Sequence, residues 1–218
     1  MNNPFPKDNE GKARNFVYPI SHTIMLEVPK EKKEPNLFQA IKDRSSIREF
    51  NPITVERISA VLWYSARIVA YTIQDNGYIL SKRPSPSAGA RHPIDIIVAL
   101  PGSIREFFYY NPMNHTLNKL DLDANLASEF IMHINHLLDS ASATIVWFIA
   151  HPDRTEAKYN NSESLIWRDA GALIYCFQLV CTALEVNSCP LGTLGDPYIH
   201  DLFKDYGHTF GVGGLLIG

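Results

Sequence analysis

Apolar residues recur every three or four positions in several stretches of the chain, which is the spacing of an amphipathic helix. The clearest stretch follows Pro52 and Thr54 and predicts a helix. Its expected buried stripe consists of Ile58, Val61, Leu62, Ser65, Ala66 and Val69. The same spacing predicts helices over residues 122–138, 163–185 and 198–204. A shorter predicted helix begins at Pro35-Asn36, where Asn36 can cap it, and its apolar face carries Leu37, Ala40 and Ile41.

Runs rich in β-branched and aromatic residues, bounded by Gly, Pro, Asn or Ser, predict strands. Such runs cover residues 94–100, 143–150 and 212–217. A hairpin is predicted where Phe107–Tyr110 and His115–Leu120 flank the turn Asn111-Pro112-Met113-Asn114. Helices and strands intermingle without a regular strand–helix–strand repeat. The pattern therefore favours an α+β layer fold with a mixed sheet over a doubly wound fold.

The first 34 residues differ from the rest of the chain because they lack clear periodicity, apart from a strand-like segment at Thr23–Val28. Residues 1–34 are predicted to form an extended N-terminal arm that could wrap a partner subunit. Residues 35–218 contain no separating linker and no internal repeat, and are predicted to form one domain.

Composition and charge exclude several functional classes. Of the 218 residues, 45% are apolar and 20% are charged, which is ordinary for a globular protein. A formal net charge of −3 leaves no broad basic surface for nucleic acid. The run Lys30–Glu34 is mixed in sign and is interpreted as a solvated segment.

Cysteine usage and hydropathy favour a cytoplasmic setting. Cys176, Cys181 and Cys189 are three, an odd number, with no CxxC pair, which indicates reducing conditions rather than a disulfide framework. The segment Met1–Gly11 is polar and does not resemble a secretory signal. The most apolar run, Ala170–Leu184, is shorter than the ~20 residues of a spanning helix and is interpreted as a buried core helix.

The octet of residues 43–50, Asp-Arg-Ser-Ser-Ile-Arg-Glu-Phe, is the first candidate for chemistry. Arg44, Ser45, Ser46 and Arg48 place two guanidinium groups and two hydroxyls where a helix is predicted to end. Such a cluster can bind a phosphate, because guanidinium forks match phosphate oxygens. The alternative is a solvated helix end, with cations placed favourably near the C-terminal dipole.

Other familiar motifs fail in this sequence. The run Gly211–Gly214 resembles a phosphate loop, but too few residues follow it for the helix that a dinucleotide site requires. His133 and His136 have a spacing that could ligate a metal, but no cysteine or carboxylate set completes such a site. Packing or hydrogen bonding is the favoured role for both, and no metal is expected.

Three segments together resemble the nitroreductase superfamily of FMN-dependent oxidoreductases. The octet is similar to the family's Arg-Arg-Ser-x-Arg signature, and Pro86–Pro93 resembles its flavin loop. The third segment begins with Arg168–Ala172 on the long helix and ends with Cys189–Gly195. This last loop resembles the family's segment that lies against the flavin ring. The resemblance covers roughly residues 36–218 and implies a mixed, mainly antiparallel sheet flanked by helices, in a homodimer.

The resemblance also implies how each segment would bind FMN. Arg44, Ser45, Ser46 and Arg48 would hold the phosphate and ribityl chain. A loop would reach the flavin bound mainly to the other subunit, and it consists of Pro86, Ser87, Ala88, Gly89 and Ala90. The ring would be covered by Pro190, Leu191, Gly192 and Thr193. Family members often carry Lys or Arg beyond the last strand, whereas this sequence ends at Gly218. Arg44 and Arg48 are therefore expected to do more of the phosphate binding here, or Arg91 is expected to help.

Lys158-Tyr159 carries a finer resemblance, to the SagB/McbC-type subfamily that oxidises azoline rings in modified peptides. That chemistry removes a carbon-bound proton and passes a hydride to flavin N5, so a positioned base has a use. The pair is therefore the candidate catalytic pair. The alternative is a surface lysine beside a half-buried tyrosine in a polar loop.

The main hypothesis is thus a homodimeric, FMN-dependent oxidoreductase that acts on an azoline or a similar ring, in a small molecule or a peptide. One alternative is a general NAD(P)H-dependent nitro- or quinone reductase, which needs an open pocket and no Lys-Tyr chemistry. The other is a non-catalytic dimeric scaffold subunit of a modifying complex.

Overall fold

An antiparallel sheet of seven strands organises the protein, seen in a computed structural model that describes residues 2–13, 16–30 and 36–218. The strands in the described chain are β1 (Phe5–Pro6), β2 (Ile20–Met25), β3 (Ala70–Ile73), β4 (Ile79–Lys82), β5 (Ile94–Ala99), β6 (Phe107–Asn111), β7 (Thr116–Leu120), β8 (Thr144–Ala150), β9 (Tyr159–Asn160), β10 (Ser188–Leu191) and β11 (Phe210–Ile217). The sheet has the order β10-β11-β8-β5-β6-β7-β2, and each neighbouring pair is antiparallel. β1 pairs with β9, and β3 with β4, in two separate small sheets.

Helices cover both faces of the sheet. They are α1 (Leu37–Asp43), α2 (Val55–Ala66), α3 (Ala124–Leu137), α4 (Pro152–Glu156), α5 (Glu163–Ala183) and α6 (Tyr198–Phe203). One hydrophobic core lies between the sheet and helices α2 and α5, and a second lies between the sheet and helices α3 and α6. The predicted α+β class with a mainly antiparallel sheet is confirmed.

The two central strands show why the core forms here. All residues of β5 and β8 are buried, and their side chains alternate between the two cores. Ile96 and Phe148 face α5, whereas Ile97 and Trp147 face α3. These runs were predictable as strands because an apolar stretch of six or seven residues fits a strand buried on both faces.

Two details of the predicted elements are wrong. Val69 does not belong to the buried stripe of α2, because the helix ends at Ala66 and Val69 is 50% exposed. The backbone N–H of Arg67 caps the helix by bonding Trp63 O, and the chain then turns into β3. Residues 187–195, for which the sequence predicted no strand, contain β10, where Pro190 is tolerated because β10 lies at the edge of the sheet.

The N-terminal residues contribute to the sheet of their own chain. β2 pairs with β7 at the edge opposite β10, and Tyr18 just before it is buried. The division into an arm of residues 1–34 and a domain of residues 35–218 stays a prediction. Pro35 and most of the mixed-charge run, residues 31–34, lie outside the described residues.

The long helix α5 is the core helix that its apolar sequence predicts. Phe177 and Cys181 on this helix are fully buried, and Cys176 is partly buried, so the cysteines of α5 pack as small apolar side chains. Within the described residues, no helix is both long and apolar enough to cross a membrane.

Candidate functional site

The octet begins at Asp43, the last residue of α1, and its other residues, 44–50, belong to neither a helix nor a strand. Arg44 ends the helix, and its backbone N–H bonds Ala40 O at 3.0 Å. Ser45 and Arg48 are exposed, whereas Arg44 and Ser46 are half-buried. Among the described residues, neither guanidinium of the octet has a carboxylate partner. Both cations are therefore available to an anion.

Strand β10 holds the octet in place. Ile47 N donates to Ser188 O at 3.0 Å, and Asn187 Nδ2 donates to Glu49 O at 2.9 Å. Burial raises the pKa of the Cys189 thiol, and the nearby positive charge of Arg48 opposes that rise. The structure thus brings the octet together with the segment that was predicted to cover the flavin ring.

That segment, residues 190–193, consists of the last two residues of β10 and the first two residues of the loop that follows it. Pro190 and Leu191 pair with β11, while Gly192 is exposed. Thr193 Oγ1 lies 3.1 Å from His133 Nε2 and accepts a hydrogen bond from Gly195 N at 3.2 Å. His133 therefore has the hydrogen-bonding role favoured over metal ligation, since it positions Thr193.

The glycine-rich end of the chain has a packing explanation. A Cβ on Gly214 would collide with the ring of Trp147, and one on Gly211 would collide with Leu194 O. Glycine in β11 therefore lets a buried tryptophan and the loop after β10 approach the strand. This segment is a strand, not a phosphate loop, as the sequence indicated.

The predicted flavin loop is anchored to α5 by one carboxylate. Ser87 Oγ donates to Asp169 Oδ2 at 2.6 Å, and Ala88 N donates to Asp169 Oδ1 at 3.2 Å. His92 N donates back to Ser87 Oγ at 2.8 Å. Burial raises the pKa of Asp169, while the bonds from Ser87 and Ala88 oppose the rise. The sequence motif included Asp169, but its role as the anchor of the loop was missed.

The candidate pair Lys158-Tyr159 packs against this loop. Gly89 has φ +61°, and a Cβ built on it would lie 2.9 Å from both Lys158 Cδ and Tyr159 Oη. The pair follows α4 and is partly exposed, so it is accessible beside the loop. A catalytic role for the pair stays a prediction, but its place next to the loop is a fact of the structure.

This contact predicts the effect of Gly89→Ala. The new methyl group requires a left-handed backbone, which costs about 1–2 kcal/mol, and it also displaces Lys158 and Tyr159, which costs about 1 kcal/mol more. Gly77→Ala is the matched control, because Gly77 has φ +81° but no atom within 4 Å of the built Cβ. Urea unfolding should show the larger loss for Gly89→Ala. Equal losses would show that the pair does not restrain the loop.

The N-terminal segment, residues 2–13, holds the pair from the other side. β1 pairs with β9, which contains Tyr159, and Lys7 N donates to Lys158 O at 2.8 Å. Farther along, Gly11 N donates to Ala157 O at 2.6 Å. No signal in the sequence predicted this pairing, because each partner strand is only two residues long.

Glu10 in the same segment joins the pair to the loop. Its carboxylate lies 3.3 Å from Lys158 Nζ and accepts a hydrogen bond from the buried side chain of Arg91. Burial would raise the pKa of Glu10, but the bond and charge of Arg91, helped by Lys158, lower it overall. Glu10 therefore supplies a negative charge between two cations. Arg91 is committed to this contact, so its predicted help with the phosphate has no support.

A buried polar network lies beneath α4. Arg154 on α4 donates to both oxygens of Asp95 on β5, at 2.7 and 2.9 Å, and to His92 O at 3.2 Å. Tyr18 Oη donates to Asp95 Oδ2 at 3.0 Å, and His151 Nε2 lies 3.0 Å from the same oxygen. The network ties the end of the flavin loop to the helix that leads into Lys158.

The charges of this network explain its ionisation. Burial would raise the pKa of Asp95, but the Arg154 guanidinium outweighs it and holds that pKa well below its usual range. Burial would lower the pKa of Arg154, and the Asp95 carboxylate reverses this and raises it. Burial and the Asp95 charge raise the pKa of Tyr18, which keeps the phenol protonated. None of these partnerships was visible in the sequence.

The predicted site residues fall into two groups within one chain. The octet and the start of β10 lie at the C-terminal end of α5, where Arg57 Nη2 also donates to Leu184 O. The other end of β10 runs back beside Ile174, in the middle of α5. The flavin loop and the Lys-Tyr pair lie near Asp169. At about 1.5 Å per residue, Asp169 is about 21 Å from Ala183 along the helix. One chain therefore does not bring the octet and the flavin loop together.

Comparisons with known proteins give one family match and several structural matches. A model of the Nitroreductase family matches residues 41–205. No curated protein matches the chain. Among solved structures, a protein of Ralstonia eutropha JMP134 provisionally assigned as a nitroreductase is similar, with 22% identity and a TM-score of 0.70, over 98% of this chain and 97% of that one.

Two other solved structures share the fold at lower identity. The Escherichia coli microcin synthetase McbBCD complex, with truncated pro-MccB17 bound, contains a chain with 14% identity and a TM-score of 0.60, over 88% of this chain and 76% of that one. A provisionally assigned nitroreductase of Desulfovibrio desulfuricans, in complex with FMN, has 18% identity and a TM-score of 0.53, over 85% of this chain and 87% of that one. With the family model matching well over half of its length, the chain belongs to the nitroreductase family.

Proposed function

We propose that the protein is an FMN-dependent oxidoreductase that works as a homodimer, with each flavin bound between two subunits. The observation that carries this proposal is the separation of the two groups of site residues along α5. Each group offers chemistry for a different end of one FMN molecule. A second copy of the chain, placed so that its flavin loop meets the octet of the first, would complete both sites.

The octet fits the phosphate end of FMN. Arg44 and Arg48 carry charges that no described carboxylate neutralises, and Ser46 adds a hydroxyl between them. Guanidinium groups bind phosphate with two parallel hydrogen bonds, so the pair can supply the cationic anchor. Residues Pro190–Thr193, which form the end of β10 and the start of the loop after it, begin beside the octet and would extend along the ring.

The loop Pro86–Ala90 fits the ring end. Asp169 fixes Ser87 and Ala88, and Gly89 leaves room for Lys158 and Tyr159 to pack beside the loop. When bound, FMN supplies a ring atom, N5, that accepts a hydride from a substrate. The Desulfovibrio desulfuricans protein, which shares this fold, was solved in complex with FMN, and this supports FMN as the cofactor.

Dehydrogenation of an azoline or similar ring is the reaction that the Lys158-Tyr159 pair supports best. The pair contacts the predicted ring-binding loop, and Glu10 holds Lys158 in position. A lysine or tyrosine beside the ring could take the carbon-bound proton that this reaction releases. The fold shared with a chain of the McbBCD complex, crystallised with truncated pro-MccB17, supports a peptide-derived substrate.

The absorbance spectrum of the purified protein, measured together with its mass in solution, tests the proposed cofactor and assembly. We expect the flavin bands near their usual visible wavelengths in a dimeric fraction. A protein that stays colourless after FMN is added would contradict the proposal and would favour the scaffold alternative.

Replacing Lys158 tests the proposed reaction. Lys158→Ala should keep its flavin, but a thiazoline-containing peptide should bleach that flavin about 10²–10⁴-fold more slowly in single-turnover mixing, because the base is lost. Lys119→Ala removes a surface lysine that pairs with Glu106 and should react like the unaltered protein. Unchanged bleaching in Lys158→Ala would remove the azoline assignment. Rapid bleaching by NADPH, with none by the peptide, would favour the general reductase.

A further inference from the structure

Three arginines surround the loop Pro86–Pro93, and one of them has no carboxylate partner among the described residues. Arg91 and Arg154 each bond a carboxylate. Arg83, which lies three positions before the loop, donates from Nε to Ser81 Oγ at 3.1 Å. The described residues place no carboxylate on its guanidinium.

Arg83 is half-buried, so its charge is costly without a partner. Burial lowers the pKa of Arg83, in contrast to Arg154, where a carboxylate reverses the effect of burial. Burial and the charge of Arg83 together lower the pKa of the neighbouring His92 to about 3, so His92 stays neutral at ordinary pH. An anion from outside would compensate Arg83, because partial loss of water makes an unpaired charge costly.

Arg83 lines an open groove of about 420 Å³ between hairpin β3–β4 and the loop. Its apolar wall includes Tyr71, Leu80 and Pro86, and Lys82 adds a second cation at the exposed side. A concave site of this volume suits a small organic molecule or a few residues of a peptide. The wall could take the apolar part of such a ligand, while Arg83 meets its charged end.

We propose that this groove binds the carboxylate of a substrate through the guanidinium fork of Arg83. The fork can donate two parallel hydrogen bonds to a carboxylate, which fixes the orientation of the ligand as well as its position. That the occupant is the substrate rests on the proposed function, because only then does the loop lie beside a flavin ring. Anion binding at Arg83 does not depend on that function.

Benzoate is a suitable probe, with neutral benzamide as the comparison of equal shape. Calorimetric titration should give tighter binding of benzoate than of benzamide to the purified protein. Arg83→Gln should weaken benzoate binding at least about tenfold and leave benzamide unchanged, since one charge-assisted contact is lost. Arg83→Lys keeps the charge but loses the fork of the guanidinium. Its affinity for benzoate should lie between those of the unaltered protein and Arg83→Gln.

Arg67→Gln is the matched control, because Arg67 stacks on Trp63 and bonds its carbonyl rather than lining the groove. It should bind benzoate within about twofold of the unaltered protein, the change expected of a distant, screened charge. Circular dichroism of each variant verifies that it is folded. Equal benzoate affinity in Arg83→Gln and the unaltered protein would overturn the proposal.

Two further measurements separate this site from the flavin site. If Arg83→Gln loses affinity for FMN but not for riboflavin, then Arg83 serves the flavin phosphate and the substrate assignment is overturned. If the protein never takes up flavin but binds benzoate through Arg83, the oxidoreductase proposal fails and the carboxylate site stands.

Discussion

A protein that carries both Arg44→Ala and Arg48→Ala is expected to purify without flavin colour. Each guanidinium should contribute about 1.5–3 kcal/mol to binding the phosphate, because hydrogen bonds to charged groups are worth that much. Loss of both would weaken FMN binding by about 10²–10⁴-fold or more. Absorbance of the purified protein and titration with added FMN measure this change directly.

The two single variants sharpen the same prediction. Arg44 is half-buried and its backbone N–H bonds the last turn of α1, so Arg44 is more restrained than Arg48, which is exposed farther along the octet. Arg44→Ala should therefore cost more affinity for FMN than Arg48→Ala. Riboflavin, which lacks the phosphate, should bind both single variants as well as it binds the unaltered protein.

A double variant near the two ends of α2 provides the control for lost charge. Arg57 and Arg67 bond backbone carbonyls, at Leu184 and Trp63, and neither belongs to the predicted flavin site. Arg57→Ala with Arg67→Ala should keep its flavin. If the protein with Arg44→Ala and Arg48→Ala retains its full flavin content, the assignment of the octet to the phosphate is contradicted, regardless of the result for the control.

The helices and central strands could be predicted because the local spacing of apolar residues shows which side chains are buried. The stripe from Ile58 to Ala66 and the apolar run of β8 each need only neighbouring residues to be recognised. Hairpin β3–β4 escaped prediction, because most of its side chains are exposed or only partly buried and no apolar alternation marks it. β10 was missed because Pro190 argues against a strand unless its edge position is known.

The candidate site likewise contains residues that local motifs could predict and residues that they could not. Local motifs pointed to the octet, the loop and the Lys-Tyr pair, and the structure places the last two in contact. The side chains that hold them come from distant parts of the chain. Glu10 meets Lys158 and Arg91, and Tyr18 meets Asp95, across sequence separations that no local pattern encodes.

The buried pair of Asp95 and Arg154 carries the largest expected effect on stability. Asp95→Asn leaves the Arg154 guanidinium buried without its negative partner, and breaking a buried pair in this way costs about 3–5 kcal/mol. Glu106→Gln is the matched control, because Glu106 pairs with Lys119 on the surface and should cost at most about 1 kcal/mol. Urea unfolding at neutral pH measures both losses.

The pH dependence of stability gives an independent test of the same pair. Asp95 has a pKa in the folded protein far below that of an unfolded aspartate, which is about 3.9, so the unfolded chain binds the proton first. Its contribution is therefore complete above that value and is lost as the pH falls toward the folded pKa. Asp95→Asn should flatten the stability curve in this acid range, whereas Glu106→Gln should keep its slope.

Replacing both members of the pair separates the cost of a stranded charge from the value of the contact. Asp95→Leu with Arg154→Leu removes both charges and should destabilise the protein less than Asp95→Asn alone, because no buried ion is left unpaired. Arg154 also bonds His92 O at the end of the flavin loop, so the double variant should still loosen that loop. Faster hydrogen exchange at residues 86–93, with most of the global stability retained, is the expected result. If the double variant is instead less stable than Asp95→Asn, the pair stabilises the fold by more than avoiding an isolated charge.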